Sequence, residues 1–112
     1  MALRDNLELM LQRGQDSPLL RYSLGGECLK AGDTLAAVTH LKEALAQNPT
    51  YSAAWKLLGQ ALAAAGSAAR AREAYREGIR VAEAAGDLQA AREMGVFLRR
   101  LERDAGALLE PR

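Results

Sequence analysis

An all-α architecture of stacked helical hairpins is predicted by three features of this sequence. Glycine-centred turns recur along it, the apolar residues between them fall at helical spacing, and the chain matches itself when shifted by 34 residues. Composition agrees. Apolar residues make up 49% of the 112 and charged ones 26%, yet only 4% are aromatic and alanine fills much of the apolar share, which suits helices and not sheets.

The elements follow from their punctuation. A first helix over residues 2–13 carries Leu3, Leu7, Met10 and Leu11 on one face and stops at Gly14. Ser17 is suited to cap a second helix over 18–31, with Pro18 at its first position. Ala31-Gly32-Asp33 then places a glycine that can end a helix directly before a residue that can cap the next. The third helix, 33–47, ends at Asn48-Pro49. Ala65-Gly66-Ser67 and Ala85-Gly86-Asp87 repeat the same punctuation after a fourth helix over 51–65 and a fifth over 67–85. A sixth runs over 87–104, and residues 105–112, "AGALLEPR", read as a frayed tail. No segment alternates as a strand would.

The 34-residue shift pairs Leu24 with Leu58, Gly25 with Gly59, Ala31 with Ala65, Gly32 with Gly66, Ala37 with Ala71 and Glu43 with Glu77. Similar pairs fall at helical spacing as well: Cys28 with Leu62, Leu41 with Tyr75, Leu45 with Ile79. Extended backwards, the register sets Leu3, Leu7, Met10 and Leu11 against Ala37, Leu41, Ala44 and Leu45, so the first helix is the second half of a repeat. Beyond residue 86 the shift becomes 36 and sets Ala91, Met94, Gly95 and Leu98 against Trp55, Leu58, Gly59 and Leu62. The last helix is therefore a first half. The single domain divides into a half-repeat helix (2–13), repeats over 17–50 and 51–85, and a capping helix (87–104).

Trp55, Leu58, Gly59, Leu62, Ala71 and Tyr75, with Leu24, Gly25, Cys28, Ala37, Leu41, Ala44 and Pro49 in the preceding unit, resemble the tetratricopeptide repeat, a 34-residue helix-turn-helix unit. Arg21 at the Trp position, Cys28 and Leu62 at an aromatic position, and Gly78 and Glu83 at the later Ala and Pro depart from it. The resemblance implies antiparallel hairpins stacked as a short right-handed superhelix. It also gives a reason for Gly59, which costs a helix about 1 kcal/mol relative to alanine. The small residue is expected to let paired helices approach, Gly59 facing Ala71 or its neighbours and Gly25 facing Ala37.

Catalysis has little to stand on. His40 is the only histidine and is read as an exposed surface residue, while the single cysteine, Cys28, falls at a core position. No phosphate-binding glycine loop, carboxylate pair or metal-ligand cluster is present, so the sequence implies no enzyme, cofactor or metal. The formal charge of +1 gives no pull towards nucleic acid or anionic membrane. Arg72, Arg76 and Arg80 form a stripe, but Glu73 and Glu77 interleave with it, which reads as a salt-bridged outer face. No run reaches the roughly 18 apolar residues of a membrane span, and Arg4, Asp5 and Glu8 interrupt any leader-like start. With one cysteine and no disulfide framework, the expectation is a cytoplasmic protein.

The resemblance implies that the first helix of each hairpin lines a concave groove. By register that groove holds Leu19, Tyr22, Gly26, Leu29 and Lys30, then Ala53, Lys56, Gln60 and Ala63, then Gln89, Arg92, Val96 and Arg99. Leu19, Tyr22, Lys56, Gln60, Arg92 and Arg99 are its candidate contact residues, and with no acid among the set an acidic peptide of another protein is the expected partner. Relatives that grip a C-terminal carboxylate use Lys, Asn and Arg at positions held here by Tyr22, Gly26, Leu57, Gln89 and Glu93, so that clamp is absent. The leading expectation is a non-catalytic adaptor or scaffold. The alternative is self-assembly as a homo-oligomer, because Met94, Val96, Phe97, Leu98 and Leu101 make the last helix apolar on many sides.

Overall fold

Six helices account for most of residues 2–109, the part of the chain that the computed structural model describes: α1 (Leu3–Gln12), α2 (Pro18–Lys30), α3 (Thr34–Gln47), α4 (Ser52–Ala64), α5 (Ala68–Ala84) and α6 (Leu88–Leu109). Four of the five turns close alike. Gly14, Gly32, Gly66 and Gly86 each take φ near +80°, the left-handed region that an L side chain resists. The following amide then reaches back to the last turn of the helix, as in Asp33 N–H to Cys28 O (2.9 Å), Ser67 N–H to Leu62 O (2.8 Å) and Asp87 N–H to Ala82 O (2.8 Å). The fifth turn uses proline. Trp55 Nε1–H donates to Pro49 O at 2.9 Å, which ties the α3–α4 turn to the helix that follows it.

Helix starts are secured less uniformly. The Ser17 hydroxyl accepts the Leu20 amide at 3.0 Å, and Asp33 and Asp87 accept those of Ala36 and Ala90. Ser67 stands at the equivalent place but makes no side-chain cap bond. At the other end of the chain, α6 continues to Leu109 where a frayed tail was expected from 105. Alanine and leucine are strong helix formers, and Gly106 alone is a penalty of only about 1 kcal/mol. Residues 110–112 of the expected tail lie outside the described residues.

Consecutive helices pair antiparallel, α2 with α3 and α4 with α5, and α4 and α6 pack on the hairpin before them. Leu24, Cys28, Leu41, Leu58, Leu62, Tyr75 and Met94 fill the interior, interleaved with Ala37, Ala44, Ala61 and Ala71. The small residues set the helix spacing. A Cβ on Gly25 would fall 2.6 Å from Leu41 Cγ, and one on Gly59 would enter the van der Waals space of the Tyr75 ring. The partner of each glycine is thus one turn further along the facing helix than Ala37 and Ala71. Gly78, at a position where the repeat has alanine, makes room for Met94 and Trp55: a Cβ there would lie 2.5 Å from the Met94 sulfur and 2.7 Å from Trp55 Cβ.

Curvature follows from which helices meet. α2 approaches α4 and α4 approaches α6, whereas among the described residues α1, α3 and α5 bring no Cα within 8 Å of one another. The stack therefore bends around the α2–α4–α6 layer. Its radius of gyration, 14.9 Å, exceeds the roughly 13 Å of a compact chain of this length, and its extents are 54 × 32 × 19 Å. The change of register from 34 to 36 comes from α5. It runs three residues past the point where α3 stops, and the turn after it is one residue shorter.

Candidate functional site

The inner face carries three hollows between neighbouring helices. Tyr22, Gly26 and Leu29 of α2 and Leu57 of α4 line the first, of about 440 Å³, which Leu3 closes at one end. Ala53 and Lys56 of α4 face Gln89, Ala90 and Glu93 of α6 across the second. Gln60 and Ala63 meet Phe97, Arg100 and Leu101 over Tyr75 in the third, of about 230 Å³. Aromatic packing shapes the floor: the Tyr22 and Tyr51 ring centroids are 5.1 Å apart, and Phe97 stacks on Tyr75 at 5.7 Å.

Of the six residues expected to meet a ligand, the structure brings Tyr22, Lys56 and Gln60 to this face. Arg92 and Arg99 go elsewhere. They line a separate hollow at the open end of the stack, with Val96 between them and Ile79 and Glu83 of α5 opposite. Leu19 is 65% exposed and borders none of these hollows. A residue's rotation about the α6 axis, which the 36-residue register does not fix, decides which flank it faces. Glu93, Phe97 and Arg100, each one residue further along than Arg92, Val96 and Arg99, line the inner hollows together with Gln89, Ala90 and Leu101. Phe97 carried a readable signal as the chain's only phenylalanine, whereas Glu93 and Arg100 resemble any surface charge.

The charge of the groove also differs from expectation. Lys56 Nζ lies 2.5 Å from Glu93 Oε2, and Lys30 Nζ is 3.1 Å from Glu27. Glu93 receives a further bond from Gln89 Nε2, and the two donors, Lys56 first, hold its carboxyl below the usual range. The mild basicity read from the sequence is cancelled by carboxylates on the same surface. Arg100 differs, its guanidinium carbon lying 5.9 Å from the Phe97 ring centroid.

Outside the groove, Arg21 occupies the position where the second repeat has Trp55. It forms a forked pair with Asp16, Nε to Oδ1 and Nη2 to Oδ2, both 2.9 Å, while Nη1 lies 3.2 Å from His40 Nδ1. Arg21 and Gln47 bring the Asp16 carboxyl down to about 2. His40 is half-buried beside this pair rather than exposed, and burial, aided by Arg21, lowers its pKa. Cys28 is fully buried and burial raises its thiol pKa, which is the environment of a packing residue. Arg80 pairs with Glu77 as the outer-face reading requires, but Arg76 reaches across to Glu102 of α6 at 3.1 Å. Among the described residues no cluster of three potential metal ligands occurs, and no helix is long and apolar enough to cross a membrane.

Stacked antiparallel hairpins, a curved inner face with side-chain-sized hollows and a glycine at each hairpin contact define a helical-repeat protein. A family model for the tetratricopeptide repeat matches residues 29–92. The chain is 50% identical over 99 residues to TPR repeat-containing protein PA0015 of Pseudomonas aeruginosa, covering 88% of this chain and 94% of that one. In three dimensions it is similar to the solution structure of protein BPP2914 from Bordetella parapertussis, with TM-score 0.82, 44% identity and coverage of 93% and 90% of the two chains. It is also similar to a tetratricopeptide repeat domain protein of Salinibacter ruber, with TM-score 0.73, 25% identity and coverage of 87% and 93%. The chain belongs to the tetratricopeptide repeat family.

Proposed function

We propose that this protein is a non-catalytic interaction module, an adaptor or scaffold of the cytoplasm whose α2–α4–α6 face takes an extended segment of another protein. The observation that carries this reading is the third hollow, where Ala63, Phe97 and Leu101 offer an apolar seat over Tyr75 and Gln60 and Arg100 stand at its rim. An apolar ligand side chain seated there gains burial, roughly 25 cal/mol for each Å² removed from water. A ligand carboxylate one or two residues away would meet Arg100, whose planar fork suits it. Lys56 contributes less to attraction, because Glu93 already occupies it. The preferred segment is therefore apolar with a single acid, not broadly acidic.

The reading is tested by selecting peptides from a random display library on the wild-type chain and comparing two variants. Ala63→Arg fills the third hollow, and Val96→Glu alters the opposite flank of α6. Peptides that share an apolar-acidic pattern, bind wild type and Val96→Glu, and are lost with Ala63→Arg support the groove. Peptides indifferent to Ala63→Arg, or no enrichment at all, overturn it.

A further inference from the structure

The two ends of the stack are open in complementary ways. At one end α6 is a first-half helix whose hairpin face is uncovered among the described residues. A Cβ on Gly95 would meet only the Arg99 guanidinium, at 3.4 Å, whereas its register mate Gly59 is covered by Tyr75. Leu88 and Val96 beside it are 55% and 45% exposed. At the other end α1 is a second-half helix without a first half. Leu3 and Met10 are 56% and 41% exposed, while their register mates Ala37 and Ala44 are fully buried.

We infer that α1 of a second copy docks on the Gly95 face of α6, so that copies of this chain stack head to tail and continue the superhelix. The register gives the contacts. Leu7 stands where Leu41 and Tyr75 stand in the two repeats, so Leu7 of the second copy sits over Gly95 as Leu41 sits over Gly25 and Tyr75 over Gly59. One turn away the volumes compensate. Within the second repeat a large Trp55 faces a glycine, Gly78; at the junction a small Ala91 takes the Trp55 place and a large Met10 the Gly78 place. A gap on one surface is matched by bulk on the other, as close packing requires.

Charge discriminates between occupants. The antiparallel docking brings Arg13 of the second copy over the start of α6, where Glu83 and Arg92 both line the hollow, so attraction and repulsion offset. A symmetric pairing of two α6 helices about Gly95 would instead set Arg92 of one copy against Arg99 of the other. The head-to-tail contact is heterologous, and a heterologous contact that does not close generates an open chain of copies. Each open face is that of a single helix, which places the association among weak and reversible ones.

Two blocking substitutions test it, each at a position the monomer leaves open. Gly95→Trp fills the seat on α6, and Met10→Glu places a carboxylate on the docking face of α1. Thermal melts at low concentration establish that both variants fold. In sedimentation equilibrium up to about 1 mM, the range in which small interfaces register, the wild-type mass is expected to rise from 12.0 kDa past that of a dimer without reaching a plateau. Each variant alone should stay monomeric. An equimolar mixture of the two should form a dimer and stop there, since one free seat and one free α1 remain to be joined and the product has neither. A wild-type chain that stays monomeric, or a Met10→Glu chain that still dimerises by itself, overturns the inference; the latter would assign the contact to α6 alone.

Discussion

Lys56 on α4 and Glu93 on α6 meet across the inner face at 2.5 Å, and this bond joins two helices that the sequence separates by the whole of α5. It removes a cation from the groove and helps hold α6 against α4. Replacing Glu93 with Gln should therefore do two things at once: lower stability slightly and free Lys56 for an external carboxylate. Chemical denaturation and peptide titration together check this, and stronger binding of acidic peptides by Glu93→Gln is the expected result. Carboxyl NMR should find Glu93 titrating below the ordinary value of about 4.3. Because its folded pKa is depressed, its contribution to stability is present above that ordinary value and disappears as pH falls through the folded one.

The glycines of the register should respond with opposite signs. Gly59→Ala introduces a Cβ into the Tyr75 ring and should destabilise by about 1–3 kcal/mol despite the better helix propensity, and Gly59→Leu by more. Gly95→Ala, at the same place in the next unit, meets only a mobile guanidinium and should stabilise the monomer by up to about 1 kcal/mol. Urea denaturation of the variants at low protein concentration measures both. Equal effects at the two positions would show that propensity, not helix approach, governs them.

His40 gives the protein a pH dependence in the mildly acid range. The unfolded imidazole titrates near 6.5, and burial beside Arg21 lowers the folded value. Between those two values the unfolded chain binds more protons, so stability rises with pH there. The contribution is complete above about 6.5 and is lost as pH falls through that value towards the folded one. The slope of melting temperature against pH between 7 and 5 should be shallower in His40→Asn, which can accept a bond but does not titrate. An unchanged slope would contradict the burial of the ring.

Cys28 should report on global opening. Its side chain is wholly buried between α2 and its neighbours, and the thiol pKa is raised. Reaction with a thiol reagent at neutral pH should be far slower in the native chain than in denaturant, and its rate should rise in Gly59→Leu as stability falls. Fast native labelling would show that α2 opens locally.

The helices and their turns were legible because the signals are local. A glycine near φ +80° followed by Asp or Ser acts within a few residues, and Ser17 and Pro18 start α2 where the sequence predicts. The end of α6 was misread for the same reason: "AGALL" resembles a tail only until its helix propensity is weighed against the absence of a stop signal before Pro111. His40 was misread because Arg21, nineteen positions away, could not be seen beside it.

By itself, the sequence determined the class of fold, the number of helices, their order and the 34-residue register, since each depends on spacing along one chain. The tertiary structure alone decided which residue each glycine faces, that Arg92 and Arg99 turn to the open end while Phe97 and Arg100 enter the groove, and that Glu93 neutralises Lys56. Those outcomes depend on how far each helix is rotated about its axis against the next. A rotation of one residue, about 100°, leaves the periodicity of the sequence unchanged and moves a side chain from one face of the protein to another.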